Sequence, residues 1–245
     1  MIIANWKSNI IDIENWFKDF NNVYKPRFKK VNIGIAPPSI YVEKLIVNHV
    51  LEVHSIQAGV QDVDHSYGSR TGAISVDMVR ESGCRFAIIG HSERRNIFNE
   101  DNDLIKEKLY SLNNKVKVVL CIGETKEENE KGTTKDVIRD QLDIVNGFKL
   151  DESFTLAYEP VWAIGSGLTP EPKDINEIHK YIKDVVQSNS ANNLVPKVLY
   201  GGSVTDKNAE SFFKEEFVDG ALIGGASLDG STYAKIVNIF NGIDK

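Results

Sequence analysis

The chain has 245 residues, of which 41% are hydrophobic and 26% are charged, so it can bury a sizeable core and is too balanced in composition to be disordered. Its formal net charge of -6 argues against nucleic acid or an anionic membrane as a partner, because both require a basic patch on the protein. No apolar run approaches the roughly 20 residues of a membrane-spanning helix.

Three further features of the sequence indicate the class of protein. They are the start of the chain, the cysteines and the histidines. Met1 leads directly into an apolar, strand-like segment without a basic leader, which predicts a cytoplasmic enzyme. Cys84 and Cys121 lie far apart, so neither a disulfide framework nor a zinc ribbon is indicated. The histidines show no HxxxH or HExxH spacing, and we predict that the protein holds no metal.

Short apolar runs alternate with amphipathic stretches along the whole chain. The near-continuous apolar runs predict strands of a parallel sheet covered on both faces, at 2–6, 31–36, 53–58, 86–90, 116–122, 154–158, 197–200 and 221–224. Charged, amphipathic stretches between them predict helices, among them 13–20, 101–112, 134–145, 174–187 and 205–214.

Eight strand-and-helix units of about 30 residues each favour an α/β fold of the closed (β/α)8 type, the TIM barrel. A doubly wound open sheet is the structural alternative, but no GxGxxG motif follows the first predicted strand. No Pro/Gly-rich linker or shift in composition divides the chain. We therefore expect a single domain over residues 1–245.

Polar residues that follow the strands are the candidates for chemistry, because a barrel of this kind carries its active site at the carboxyl ends of its strands. The first strand ends in Asn5-Trp6-Lys7, and the strand period of two places Asn5 and Lys7 on the same side. Lys7 has three interpretations: a surface lysine, a cation that stabilises negative charge, or a Schiff-base lysine as in an aldolase.

The fourth strand is followed by His91, after which Ser92 and Glu93 suit the first turn of a helix. A helix amino end disfavours positive charge, so we expect His91 to be neutral at pH 7 and able to donate a hydrogen bond to a carbonyl or enediol oxygen. A lone histidine in this place is more often structural. Beside a catalytic carboxylate and a lysine, the catalytic interpretation is favoured.

The tract 124–135 carries charges of both signs at helical spacing. This pattern predicts a solvated helix face rather than a binding site.

Glu159 closes the sixth strand, and Pro160 prevents the strand from continuing. The segment beyond it has the composition of a lid hinged at both ends. A base beneath a water-excluding lid predicts proton chemistry on a small substrate. The lid consists of Pro160, Val161, Trp162, Ala163, Ile164, Gly165, Ser166, Gly167, Leu168, Thr169 and Pro170.

Glycine-bearing turns follow the last two strands, Gly201-Gly202-Ser203 and Gly224-Gly225. Glycine lets the backbone approach a ligand closely, so that amide N–H groups can hold a dianion. A single Gly-Gly pair usually marks a tight turn. Two such turns after strands 7 and 8, where barrels frequently bind phosphate, favour a phosphate site.

Six segments together resemble the triosephosphate isomerase family, in the same order and spacing, from end to end of the chain. They are Asn5-Trp6-Lys7, Ile89 to Arg95, Cys121 to Glu124, Tyr158 to Gly165, Tyr200 to Val204, and Ile223 to Ala226. The resemblance implies an isomerase that interconverts dihydroxyacetone phosphate and D-glyceraldehyde 3-phosphate through an enediolate, in glycolysis and gluconeogenesis, without a cofactor.

Two other functions remain open. The first is another phosphosugar-binding barrel, such as an aldolase or lyase that uses Lys7 as a Schiff base. The second is a noncatalytic barrel, which would be expected to lose Glu159, His91 or Lys7.

The resemblance also implies roles for single residues. Glu159 would move a carbon-bound proton, neutral His91 would polarise the carbonyl, and Lys7 with the Asn5 amide would stabilise negative charge. Backbone N–H groups would hold the phosphate, at Gly165, Ser203, Gly224 and Gly225. The supporting residues would be Ser92, Glu93, Glu124 and Tyr200, with Glu93 next to Lys7 and Glu124 accepting from the Trp162 indole.

The lid departs from the family pattern at its second hinge. The family commonly reads Gly-Thr-Gly-Lys-Thr-Ala where this chain has Gly-Ser-Gly-Leu-Thr-Pro, with Leu168 and Pro170 as the main changes. Pro170 has no N–H group, so it cannot donate the closing hydrogen bond that the family makes to the hydroxyl of Tyr200. We expect a modest change in lid closure.

The loop around Thr71, from Ser66 to Ser75, resembles the segment that inserts into a partner subunit. The resemblance therefore implies a homodimer. Ala73 stands where an acidic residue is usual, which removes the usual cross-subunit partner of Arg94.

Overall fold

The computed structural model describes residues 1–26, 32–47, 56–164 and 169–243. Within these ranges eight parallel strands close a barrel in sequence order, and the last strand pairs with the first. The strands are β1 Ile2–Asn5, β2 Ile33–Ala36, β3 Ile56–Val60, β4 Phe86–Ile89, β5 Lys117–Ile122, β6 Thr155–Tyr158, β7 Lys197–Tyr200 and β8 Ala221–Ile223. This is the α/β barrel that the sequence predicts.

Helices connect the strands and cover the outside of the barrel. The α-helices of the described residues are α1 Ile13–Val23, α2 Val42–Leu45, α3 Val76–Glu81, α4 Ser92–Ile97, α5 Asn102–Leu112, α6 Lys126–Glu130, α7 Thr134–Leu142, α8 Pro172–Asn189, α9 Ala209–Phe213 and α10 Gly230–Asn241. Short 3-10 turns lie at Ser39–Tyr41, Asp143–Val145, Val161–Ala163 and Gly225–Leu228. Of the helices in these ranges, none is both long and apolar enough to cross a membrane.

Side-chain caps fix where several helices begin. Asp12, Asp101 and Asp229 each accept a hydrogen bond from a backbone N–H of the first turn of α1, α5 and α10. Thr125 and Glu128 form a reciprocal capping box at the start of α6. Each cap satisfies N–H groups that have no partner within the helix, so the sequence sets these helix starts locally.

The predicted elements differ from the observed ones mainly at their ends. The strand ends agree to within two residues wherever both predicted ends are described, while residue 31 and residues 53–55 lie outside the described residues. The predicted helix 205–214 is wrong at its start, because α9 begins only at Ala209. The Asn208 side chain accepts from the Thr205 N–H and stabilises a turn there instead.

The core has two layers. Side chains that point into the barrel form an inner cluster that includes Ile3, Phe86 and Leu199. Outward-facing strand residues pack with the helices in a second, larger cluster. Phe86 fills the barrel interior, and a Cβ atom added at Gly59 would lie 2.4 Å from its ring. The glycine makes room for that ring.

Candidate active site

A cavity of about 220 Å³ opens at the carboxyl-end rim of the barrel. Strands β1, β4, β6, β7 and β8 each end beside it, so residues far apart in sequence meet there. Its lining includes Asn5, Lys7, His91, Glu159, Ile164, Ser203, Gly224 and Gly225. The predicted site residue Gly165 lies outside the described residues.

Glu159 is buried, with 2% of its surface exposed, and both of its carboxylate oxygens have partners. Oε2 accepts a hydrogen bond from the backbone N–H of Ser92 at 2.8 Å, and Oε1 lies 3.0 Å from Nε2 of His91. A Cβ atom added at Gly201 would lie 2.8 Å from Cγ of Glu159. Glycine at that position therefore leaves the space that the carboxylate side chain occupies.

The His91 ring is oriented by the start of α4, which it caps. Its Nδ1 accepts a hydrogen bond from the backbone N–H of Glu93 at 3.1 Å. A ring nitrogen that accepts a hydrogen bond carries no proton, so the proton of the neutral ring lies on Nε2. Nε2 is the nitrogen that faces both Glu159 and the cavity. This geometry fits the neutral histidine that the sequence predicts.

Lys7 reaches the cavity by an irregular backbone rather than by strand alternation. β1 ends at Asn5, and Lys7 has φ of +49°, in the left-handed region. Gln61 stabilises this conformation, since its Nε2 donates to the Lys7 carbonyl at 2.8 Å and to the Ala36 carbonyl at 2.9 Å. The Lys7 ammonium lies 2.6 Å from Oε1 of Glu93. A strained backbone conformation of this kind persists only where surrounding hydrogen bonds hold it in place.

Sequence reasoning missed Gln61. It belongs to no motif. However, it directly follows β3, and a polar residue at the carboxyl end of a barrel strand is a signal that could have identified it as a site residue.

The two glycine-bearing turns lie on the cavity wall beside Lys7. A Cβ atom added at Gly224 would lie 3.2 Å from Cε of Lys7, whereas one added at Gly225 would meet no atom within 4 Å. The hydroxyl of Ser203 donates to the carbonyl of Ala163 at 2.6 Å, which joins this wall to the first part of the lid. An anion bound at these turns would therefore lie close to an ammonium group.

The lid is described from Pro160 to Ile164 and again at Thr169 and Pro170, while residues 165–168 lie outside the described residues. At its first end, the Trp162 indole donates to Oε1 of Glu124 at 2.8 Å. The Tyr158 hydroxyl donates to Oε2 of the same carboxylate at 3.0 Å. The structure thus shows the contact that the resemblance implies between Glu124 and Trp162.

The prediction of a solvated face for 124–135 is wrong at its first residue. The helix α6 is exposed, but Glu124 itself is fully buried. It lies two residues after the end of β5 and contacts Trp162 of the lid. Burial raises the pKa of the Glu124 carboxyl, and the hydrogen bonds from Trp162, Tyr158 and Asn129 partly oppose that rise.

The Tyr200 hydroxyl, at the end of β7, is buried and has no hydrogen-bond partner among the described residues. Its ring stacks on Phe212 with the ring centroids 4.4 Å apart. At the second end of the lid, Pro170 is buried and carries no N–H group. Burial raises the pKa of the Tyr200 phenol, so the hydroxyl stays protonated.

A search of the described ranges finds no group of three or more His, Cys, Asp or Glu side chains able to hold a metal ion. That the protein needs no metal stays a prediction.

Comparison with known proteins agrees with the fold. The family model described as triosephosphate isomerase matches residues 1–240. A triosephosphate isomerase of Aquifex aeolicus is 38% identical over 248 residues, which span 98% of this chain and 99% of the relative. That of Buchnera aphidicola is 39% identical over 251 residues, with 98% and 96% covered. That of Legionella pneumophila is 38% identical over 214 residues, with 85% of each chain covered. The chain belongs to the triosephosphate isomerase family.

Proposed function

We propose that Glu159, His91, Lys7 and Asn5 carry out the reaction of this enzyme within one catalytic domain over residues 1–245. The enzyme is an isomerase that interconverts dihydroxyacetone phosphate and D-glyceraldehyde 3-phosphate, a step of glycolysis and gluconeogenesis. We place it in the cytoplasm on the grounds of that metabolic role. The observation that supports these residue roles best is the Glu159–His91 pair, 3.0 Å apart beside the Lys7 ammonium.

Glu159 acts as the base that removes a proton from the carbon next to the carbonyl and returns it to the neighbouring carbon. Its carboxylate is held by His91 and by the Ser92 N–H. To reach the substrate it gives up the contact with His91, which frees the Nε2 proton at the same moment. Positioned proton transfer of this kind contributes about 10²- to 10⁴-fold to the rate.

His91 then donates its Nε2 proton toward the substrate carbonyl and moves a proton between the two enediolate oxygens. The backbone N–H of Glu93 keeps Nδ1 as the acceptor, so the ring stays in the required tautomer. Lys7 and Asn5 stabilise the negative charge that develops on these oxygens. Lys7 is oriented by its ion pair with Glu93.

The phosphate group of the substrate binds at the turns after β7 and β8. Backbone N–H groups of Ser203, Gly224 and Gly225, together with Gly165 of the lid, serve as donors. The space beside Gly225 and the nearby Lys7 side chain support this placement. The lid then excludes water from an enediolate that would otherwise expel its phosphate.

The alternative of a Lys7 Schiff base is not favoured. The family match and the named relatives point to an isomerase. In addition, the Lys7 ammonium forms a 2.6 Å ion pair with Glu93, an arrangement that suits charge stabilisation rather than nucleophilic attack.

A coupled isomerase assay of Glu159→Gln tests the assignment. The amide keeps the size of the side chain but cannot accept the proton, so we expect turnover to fall about 10²- to 10⁴-fold. Glu127→Gln is the matched control, because Glu127 is exposed and pairs only with Lys131 within its own helix. Wild-type turnover in Glu159→Gln would show that another group is the base.

The enzyme forms a homodimer, with the loop around Thr71 of each subunit inserted into its partner. A cavity of about 500 Å³ supports this proposal, since it is lined both by this loop and by Asn5, Lys7 and His91. Large apolar side chains in and around it are exposed in the single chain, at Ile40, Tyr67, Ile97 and Phe98. A partner would cover them and complete the wall of the site.

The absence of an acidic residue at Ala73 does not leave Arg94 without a carboxylate. Its guanidinium pairs within its own chain, with Nε 2.8 Å from Oε1 of Glu100 and NH2 3.0 Å from Oδ2 of Asp62. The ammonium of the buried Lys108 joins the same two carboxylates. Because the charge of Arg94 is already paired within its own chain, the dimer does not depend on a cross-subunit ion pair at this position.

A further inference from the structure

A third cavity, of about 470 Å³, lies at the opposite end of the barrel from the active site. We call it the basic cavity, and define it by the cations Arg80, Arg85, Lys115 and Lys117 and by Asp151 and Ser153. Four cations thus surround a space with one carboxylate. This is unusual for a chain with a net charge of -6.

The positive charge of the basic cavity is not compensated by its surroundings. No described carboxylate forms an ion pair with Arg85, Lys115 or Lys117, and Arg80 has only an exposed contact of 3.8 Å with Asp77. The Lys117 ammonium donates instead to the amide oxygen of Gln57, at 3.3 Å. The one carboxylate in the lining is already engaged, because Oδ1 of Asp151 accepts from the backbone N–H of Ser153 at 2.7 Å.

Two of these cations, Arg85 and Lys117, belong to neighbouring strand ends of the barrel. The Arg85 N–H donates to the Ala58 carbonyl at 2.8 Å, and the Arg85 carbonyl accepts from the Lys117 N–H at 3.3 Å. These bonds bring together the starts of β4 and β5. Lys115 is fixed on the preceding turn, where its N–H donates to the Leu112 carbonyl. Arg85 and Lys117 are therefore held at strand ends, Arg80 lies in α3 and Lys115 lies on a hydrogen-bonded turn.

We propose that the basic cavity binds a small, soluble molecule that carries at least two phosphate groups. Its volume lies within the roughly 300–1,000 Å³ of small-molecule sites. Arginine binds phosphate with its planar fork of donors, and lysine adds point charges around it. A nucleic acid needs an extended basic surface, whereas this cavity is a confined patch on an acidic protein.

This site is separate from the catalytic one. Strand β5 runs the length of the barrel from Lys117 at the basic cavity to Ile122 at the catalytic rim, which is about 17–20 Å at ~3.3 Å per residue. A molecule in the basic cavity therefore does not touch the substrate, and the two can bind at the same time.

Calorimetric titration with inorganic tripolyphosphate tests the proposal. The titration is done in a saturating equilibrium mixture of the two triose phosphates, so that the catalytic cavity is already occupied. We expect one tripolyphosphate per chain, with an affinity that falls as salt rises. The double variant Arg85→Gln/Lys117→Gln should weaken binding at least about tenfold and leave isomerase turnover unchanged, which also shows that the variant is folded.

A matched control removes two positive charges elsewhere. Lys180→Gln/Lys214→Gln has the same net charge, and both lysines are exposed and form ion pairs with a carboxylate four residues away, Asp184 and Glu210. This variant should bind within about twofold of wild type. Lys115→Gln, on an exposed turn, gives a second measure and should weaken binding several-fold. The proposal is overturned if the wild-type protein binds no tripolyphosphate beside the substrates, or if the control loses as much affinity as the double variant.

Discussion

At the residue scale, single hydrogen bonds orient the side chains of the candidate active site. The backbone of α4 supplies two of them, from Ser92 to Glu159 and from Glu93 to His91. The side chain of Glu93 also binds Lys7. One short helical start therefore orients the proposed base, acid and cation together.

Glu124 is the residue whose ionisation we expect to affect stability. Burial raises its folded pKa above the ordinary value of 4.5. A raised pKa in a folded carboxyl contributes stability that is fully present below the unfolded pKa and is lost as pH rises through the folded pKa. Relative to Glu124→Gln, the wild-type protein should therefore gain stability as the pH falls from neutral toward the ordinary value of 4.5.

Chemical denaturation of both proteins across that pH range measures this difference. Glu127→Gln is again a suitable control, because its side chain is exposed and its difference from wild type should change little with pH. A constant difference between wild type and Glu124→Gln at all pH values would mean that Glu124 titrates alike in the folded and unfolded states.

At the scale of elements, the lid has unequal ends. Its first end is held by hydrogen bonds of Trp162 and Tyr158 to Glu124 and of Ser203 to the Ala163 carbonyl. Its second end contains Pro170, and the Tyr200 hydroxyl, which the family's closing hydrogen bond would use, has no partner within the described residues. The polar contacts seen in the described part of the lid thus concentrate at one hinge.

We predict that Tyr200→Phe has little effect in this enzyme. Its hydroxyl makes no hydrogen bond within the described part of the chain, and an unpaired buried polar group costs about 1–3 kcal/mol, so its removal should leave turnover nearly unchanged and stability equal or higher. Tyr158→Phe is the matched comparison and should lower stability by about 1–3 kcal/mol, because its hydroxyl donates to buried Glu124.

Turnover and thermal unfolding of the two variants check this pair. Pro170→Ala adds a further test, since it restores a backbone N–H at the second hinge. In that background Tyr200→Phe should become costly if the restored group donates to the hydroxyl. A large loss of turnover in Tyr200→Phe alone would contradict our account of the hinge.

At the scale of the whole molecule, the described residues of the barrel form three cavities with different proposed roles. The carboxyl-end rim holds the catalytic cavity, the neighbouring 500 Å³ cavity is the proposed docking surface, and the amino-end rim holds the basic cavity. The first two share Asn5, Lys7 and His91. Assembly and catalysis are therefore expected to be coupled.

We predict that Phe98→Asp makes the protein a monomer with strongly reduced turnover. Phe98 lines the docking cavity and is 60% exposed in the single chain, so a carboxylate there would replace apolar contact area and lose its hydration on association. Val195→Asp is the control, since Val195 is 54% exposed but lies outside that cavity. Sedimentation at micromolar concentration measures both, and a dimer of undiminished stability in Phe98→Asp would place the interface elsewhere.

Much of the barrel could be predicted from the sequence, because hydrophobic periodicity, prolines and helix caps act over a few residues. The runs that became β1 to β8 and the position of Glu159 at a strand end follow from such local patterns. Prediction was weakest at element ends, as at α9, where the Asn208 side chain competes with the helix.

The sequence by itself determined the order of strands and helices, the residues available at each strand end and the family to which the chain belongs. Only the tertiary structure decided how these residues meet. It shows Lys7 held in a left-handed conformation by Gln61, Glu124 buried beneath the lid and Arg94 paired within its own chain. The reason is physical: periodicity reports which side of an element faces the core, but contacts between distant residues and their desolvation exist only once the chain has closed on itself.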